Sequence, residues 1–179
     1  MYEIKCSKIT IGIIQGDISK QSTDAVVNAA NKRLAPGGGV AGAIYSAAGP
    51  ELWEECKKLG GCETGEAVIT KGYSLKARWI VHTVGPVYSG NERDSELLAL
   101  SYKNSLLVAD EAGARTISFP AISAGAFGYP TREAAEIALE TVCKAASNLS
   151  SIEMVQFVLY DSKTYNVFKD VIRRYKNDD

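Results

Sequence analysis

Short apolar runs and longer periodic stretches alternate along this chain. Tyr2 to Cys6, Ile9 to Ile14, Asp24 to Asn28, Ala67 to Thr70, Trp79 to Val84, Thr116 to Phe119 and Val155 to Tyr160 read as strands. Gly39 to Ala48 is small and apolar, suited to a helix packed tightly on a sheet, and Pro50 fits the first turn of a second helix that Gly60 and Gly61 stop. From Ser95 to Ala112, Leu97, Leu98, Leu100, Ser101, Leu106, Leu107 and Ala109 supply an apolar helical face that ends at Gly113. Thr131 is placed to cap a helix reaching Ala146, with Ala134, Ala135, Ala138, Leu139 and Val142 facing inward. Asp161 or Ser162 is placed to cap a last helix that buries Val167, Phe168, Val171, Ile172 and Tyr175. Strands alternating with helices predict an α/β three-layer sandwich, in one continuous domain over 1–179.

Composition narrows the classes of function. Hydrophobic residues make up 46 % and charged residues 23 %, the balance of a soluble globular domain. Twenty basic against twenty-one acidic residues leave a formal charge of −1, so nucleic acid is not an expected partner. No basic segment followed by an apolar core opens the chain, and no apolar run approaches the ~18 residues of a membrane span, so a cytoplasmic protein without membrane contact is expected. Cys6, Cys56, Cys62 and Cys143 form no CxxC pair and His82 is the single histidine, so no metal and no cofactor are expected. The four thiols read as reduced. His82 lies inside the apolar run Trp79 to Val84 and reads as a satisfied core residue, which argues against Cys-His and Ser-His-Asp catalysis.

Three strand-to-loop junctions carry the chemistry. Gln15-Gly16-Asp17-Ile18 follows an apolar strand, where Asp17 either caps a local turn or accepts a hydrogen bond from an adenine amine. Asn28-Ala-Ala-Asn31 precedes Pro36-Gly-Gly-Gly-Val-Ala-Gly42, whose glycines expose backbone N–H groups at a helix start, a setting for phosphate or for a simple turn. No Lys-Ser or Lys-Thr follows, so it is not a Walker loop, and it lacks the GxGxxG spacing of a dinucleotide fold. Ser123 to Gly128 is a second small-residue loop before a helix, and two such loops at strand ends can grip a diphosphate from both sides. Asn28 and Asn31 offer donors and acceptors for ribose hydroxyls, or serve the turn itself.

In this order, Gly-Asp-Ile, Asn-Ala-Ala-Asn, Gly-Gly-Gly-Val, His-Thr-Val-Gly-Pro and Ser-Ala-Gly-Ala-Phe-Gly make the chain, from about Ile9 to Tyr175, resemble the macrodomain family. The resemblance implies a central mixed sheet between helices, with ADP-ribose across the sheet's carboxyl edge. It implies Asp17 on the adenine amine with Ile18 beside it, and Gly38, Gly39, Val40 and Gly42 along the first diphosphate loop. Ser123, Ala124, Gly125, Ala126 and Phe127 would form the second. Asn28 and Asn31 match the paired asparagines, Asn31 holding the distal ribose under Phe127. Tyr160 would stack on adenine or be a core tyrosine. Asn31, Gly39 and Phe127 are the implied catalytic positions.

One departure bears on activity. The MacroD-type hydrolases resembled here read Gly-Gly-Gly-Val-Asp-Gly-Ala-Ile-His, whereas this chain has Ala41 and Tyr45 in place of the Asp and His. The expected function is hydrolysis of mono-ADP-ribose from acidic side chains of modified proteins, and of O-acetyl-ADP-ribose. The alternative is a module that binds ADP-ribose without cleaving it.

Overall fold

The computed structural model, described over residues 2–177, begins with β1 (Tyr2–Cys6), β2 (Ile9–Gln15) and β3 (Ala25–Ala29), then α1 (Gly39–Ala48) and α2 (Glu51–Leu59). It continues through β4 (Ala67–Lys71), β5 (Trp79–Thr83), α3 (Arg93–Glu111), β6 (Thr116–Phe119), α4 (Thr131–Ala145), β7 (Met154–Leu159) and α5 (Ser162–Asn177). The strands form one seven-stranded sheet in the order β1-β2-β7-β6-β3-β5-β4. From β2 to β5 the neighbours are parallel, while β1 and β4 close the edges antiparallel. The sheet is mixed, as the resemblance implied. Parallel neighbours need crossovers, and here helices supply most of them, which covers both faces of the sheet.

Strand alternation sorts the core into two halves. Ile11, Ile13, Val27, Val81, Ile117, Phe119, Val155 and Phe157 pack with Leu98, Tyr102, Leu139 and Phe168 of α3, α4 and α5. On the opposite face Val26, Ile80 and Val158 pack with Ile44, Tyr45, Leu52 and Cys56 of α1 and α2. The first half is threaded by tilted aromatic pairs, Tyr102–Phe119 at 5.1 Å, Phe119–Phe157 at 6.0 Å and Phe157–Phe168 at 5.5 Å between centroids. This is the three-layer sandwich predicted from the alternation of elements.

Three local expectations are corrected. Thr131 does not cap α4; Pro130 takes the boundary with φ fixed at −55°, and Thr131 is the first helical residue. α3 begins at Arg93 rather than Ser95, because Asn91 Oδ1 accepts from the Arg93 N–H at 2.9 Å and starts the turn early. Cys6 and Cys143 are not free thiols: a disulfide joins β1 to α4, while Cys56 and Cys62 are free and buried. Asp161, by contrast, does cap α5, accepting from the Thr164 N–H at 2.8 Å. No described helix is long and apolar enough to cross a membrane.

Parallel strands place their carboxyl ends on one edge. Gln15, Leu159, Phe119, Ala29 and Thr83 end there side by side, and the three junctions singled out above leave from that edge.

Candidate functional site

At the β2 end, Asp17 caps a 3-10 turn over Ile18–Lys20. Its Oδ1 accepts from the Ser19 N–H at 2.8 Å and the Ser19 hydroxyl at 2.6 Å. The hydroxyl bond from Ser19 is the main reason its carboxyl sits below the usual carboxylate range, so it is charged at neutral pH. Its Oδ2 has no hydrogen-bond partner among the described residues. The turn-capping role is therefore realised, and one oxygen is left for something else. Gln21 donates to the Asp17 carbonyl at 2.9 Å and accepts from Gln156 of β7 at 3.0 Å, which fastens this loop to the sheet. Tyr160 follows β7 directly and is 81 % exposed, so it is no core tyrosine. Ile18 is buried beneath the turn.

At the β3 end, Asn31 closes its own loop. Its amide donates to the Ala35 carbonyl and accepts from the Ala35 N–H, both at 2.9 Å. Leu34 is fully buried with φ +57°, and its carbonyl accepts from the Tyr45 hydroxyl of α1. The chain then turns through exposed Gly37, Gly38 and Gly39 into α1, where Gly38 caps the helix without any side chain. A Cβ at Gly38 or Gly39 would meet nothing within 4 Å, so the approach from solvent is open. Gly42 is different: a Cβ there would stand 2.7 Å from the Gly37 carbonyl oxygen, so glycine lets the helix tuck under the loop. The N–H groups of Gly38, Gly39, Val40 and Ala41 have no acceptor among the described residues. These are the donors every helix start leaves over, and the helix dipole adds positive potential to them.

At the β6 end, the loop from Pro120 is held from below. Tyr102 receives the Ile122 N–H at 3.1 Å, and its hydroxyl donates to Pro120 at 3.3 Å. Ser123 is buried at φ +65°, donating its hydroxyl to the Pro86 carbonyl at 2.7 Å. Beyond it Ala124 and Phe127 are half-buried and Gly125 and Ala126 exposed, and the N–H groups of Gly125, Ala126 and Phe127 lack an acceptor among the described residues. Two sets of unpaired N–H donors thus leave adjacent strands at the same edge. Such an arrangement offers donors of the kind that can hold an anion.

Asn28 does not reach this edge with its side chain. It is 1 % exposed, and its Nδ2 lies 3.0 Å from His82 Nδ1. An amide N–H donating there makes His82 the Nε2–H tautomer, facing Thr70 Oγ1 at 2.9 Å and Cys56 Sγ at 3.9 Å. Burial pushes the His82 pKa down to about 4, so the ring is neutral. This satisfied core histidine is the one the apolar strand predicted. Tyr45 also belongs here: it is 9 % exposed, and burial, with a contact to Cys56, raises its pKa. It points behind the loop, not out of it.

The sequence profile of the Macro domain matches residues 27–138. The chain belongs to the macrodomain family. A 47 % identical relative, spanning 93 % of this chain and 96 % of its own length, is the O-acetyl-ADP-ribose deacetylase of Salmonella newport. The Oceanobacillus iheyensis macrodomain with ADP superposes at TM-score 0.94, with 37 % identity over 99 % of this chain and 97 % of that one. The Trypanosoma brucei macrodomain in complex with ADP-ribose superposes at 0.85, with 38 % identity over 90 % and 68 %. In this macrodomain Ala41 is 5 % exposed on the first turn of α1, so the position carrying Asp in MacroD-type hydrolases offers no carboxylate.

Gly85 and Pro86 were read only as part of the His-Thr-Val-Gly-Pro motif, without a role, and Tyr102, Gln21 and Gln156, which hold the loops from behind, were missed. Gly85 has a readable signal, a Gly-Pro pair straight after a buried strand. A Cβ on it would stand 2.3 Å from Ser123 Oγ. The others are read only from contacts across the sheet.

Proposed function

We propose that this macrodomain binds ADP-ribose along its carboxyl edge and hydrolyses mono-ADP-ribose from acidic side chains, with O-acetyl-ADP-ribose as a second substrate. The observation that carries it is the pair of unpaired N–H sets at the adjacent β3 and β6 ends, with Asp17 and Tyr160 at the β2 and β7 ends on one side and Asn31 in the β3 loop itself. In this reading Asp17 Oδ2 accepts from the adenine amine, Tyr160 stacks on the ring, Gly38 to Ala41 and Gly125 to Phe127 hold the diphosphate, and Asn31 and Phe127 flank the distal ribose. A cytoplasmic location belongs to the same reading.

No side chain near the first loop serves as a general base, since Ala41 has none and Tyr45 is buried with a raised pKa. The base is then a phosphate oxygen of the substrate. It takes a proton from a water whose oxygen bonds to the anomeric carbon, and the bond from that carbon to the modified side chain breaks, releasing a carboxylate and ADP-ribose. Catalysis rests on positioning and on N–H groups aimed at the diphosphate. Lacking a positioned base typically forgoes ~10²–10⁴-fold in rate, so slow turnover is expected.

Incubation with a mono-ADP-ribosylated protein tests this directly. Label should be released slowly by the wild type and not at all by Gly38→Glu or Gly125→Glu, whose side chains have open space and so leave the fold intact. Ala41→Asp should match or exceed the wild-type rate. Label retained by the protein but never released faster than in its absence would establish the second reading, a binder, which Ala41 favours.

A further inference from the structure

Strand order gives the cleft a direction. Asp17 leaves β2, Tyr160 leaves β7, the Ser123 loop leaves β6, the Asn31 loop leaves β3, and β5 comes next. The span from β2 to β5 is four strand spacings, roughly 19 Å at about 4.8 Å each. A ligand with adenine at Asp17 and its distal ribose at Asn31 therefore points whatever is attached to that ribose at the end of β5.

The segment that follows β5 is built to stay put. Pro86 accepts from Ser123 Oγ at 2.7 Å, and the Tyr88 N–H donates to the Phe127 carbonyl at 2.8 Å, stitching it to the second loop. Below it, buried Asp94 accepts from the Ser89 N–H at 2.8 Å, the Gly90 N–H at 3.0 Å and the Ser89 hydroxyl. The Tyr88 ring leans on Tyr129, centroids 4.9 Å apart. Yet this fixed segment turns Val87 out, 63 % exposed, with Tyr88 beside it at 39 %. An apolar pair on a locked backbone, next to half-buried Phe127, is an ordered surface.

We infer that Val87 and Tyr88 form a docking wall for the polypeptide that carries the ADP-ribosyl group, contacting an apolar side chain that flanks the modified residue. The inference rests on the ADP-ribose reading above and names the class of substrate it favours. An acetyl ester has two carbons beyond the ribose and little to lay on this wall. A polypeptide continues past the ribose in both directions and covers it. Macromolecular substrates are thereby preferred over the small ester.

The test compares three probes by calorimetry: free ADP-ribose, a short peptide bearing a hydrolysis-resistant N-linked ADP-ribosyl group flanked by leucine, and the same peptide with serine flanks. The wild type should bind the leucine peptide more tightly than either other probe. Val87→Ser should weaken that peptide by about three- to tenfold, the effect of losing one partly buried aliphatic side chain. It should leave ADP-ribose affinity unchanged, and Val87→Ile should restore the peptide. Equal affinity for all three probes, or an equal loss on peptide and ADP-ribose in Val87→Ser, overturns the wall while leaving the cleft intact. Failure of the wild type to bind ADP-ribose overturns the cleft reading, and the wall with it.

Discussion

Gly85 and Ser123 meet so closely that a Cβ on the glycine would stand 2.3 Å from the serine hydroxyl oxygen. That oxygen also donates to the Pro86 carbonyl, so the β5 end and the second loop are seated on one another.

Gly85→Ala must displace the Ser123 loop, since both neighbours of the new methyl are buried. A destabilisation of about 1–3 kcal/mol is expected from overpacking, with ADP-ribose affinity falling more steeply than in Ser123→Ala. The serine variant loses only the Pro86 bond, about 1–3 kcal/mol for a buried acceptor left unpaired. Urea melts and calorimetry on both variants check this, and a Gly85→Ala protein that binds like wild type would detach the second loop from ligand binding.

Asp17 does two jobs with two oxygens, and Asn separates them. Asp17→Asn keeps an oxygen for the Ser19 N–H and hydroxyl, so the turn should hold to within about 1 kcal/mol, the typical worth of a cap. Its amide group presents hydrogens to the adenine amine, and affinity for ADP-ribose should drop by about 1.5–3 kcal/mol. The hypoxanthine analogue, which has an acceptor in place of that amine, should gain on ADP-ribose in the variant. Calorimetry with both ligands decides it; unchanged preference would confine Asp17 to the turn.

How far the fold was legible depends on the range of the signal. β3 and β5 were readable because apolar runs bounded by polar residues are local, and α4 because its alanines recur at helical spacing. The asparagine pair shows where local reading stops. Residues 26 and 28 share one face of β3, so Asn28 turns in with Val26 toward α1 and α2, while Asn31 falls past the strand and stays at the edge. Parity was present in the sequence, but the end of the strand had to be known to use it. The Cys6–Cys143 pairing had no local signal at all, with its partners 137 positions apart and a sheet edge meeting a helix. The cleft loops were legible as glycine-rich junctions; their anchors on Tyr102 and Gln156 were not, because those depend on which strands lie side by side.

The disulfide closes residues 6 to 143 into one long loop, so reduction should matter for stability. Cross-links of long loops stabilise by about 2–5 kcal/mol, largely through the unfolded state. A Cys6→Ser, Cys143→Ser protein should melt earlier in urea by that amount and keep ADP-ribose affinity, because both cysteines lie away from the carboxyl edge. A melt indifferent to reductant in the wild type, matching the double variant, would show that the bond adds nothing.

His82 should set the acid limb of stability between pH 6.5 and 4. Its ring is fully buried, and burial lowers its pKa from 6.5 to about 4. Across that window the unfolded chain binds a proton that the folded protein refuses, so falling pH favours unfolding, and stability rises with pH until it levels above 6.5. At 1.36 kcal/mol per unit, the loss by pH 4 is roughly 3 kcal/mol. The carboxylates of Asp17, Asp94 and Asp110 do not confuse this window. Their folded pKa values are lowered from 3.8, so the stability they add is present above that value and is lost only below it. Urea melts at pH 7, 5.5 and 4.5 measure the limb. His82→Gln should start lower at pH 7, because Asn28 and Thr70 lose their ring partner, yet change far less between pH 7 and 4.5. A variant with the same acid slope as wild type would move the titrating group elsewhere in the chain.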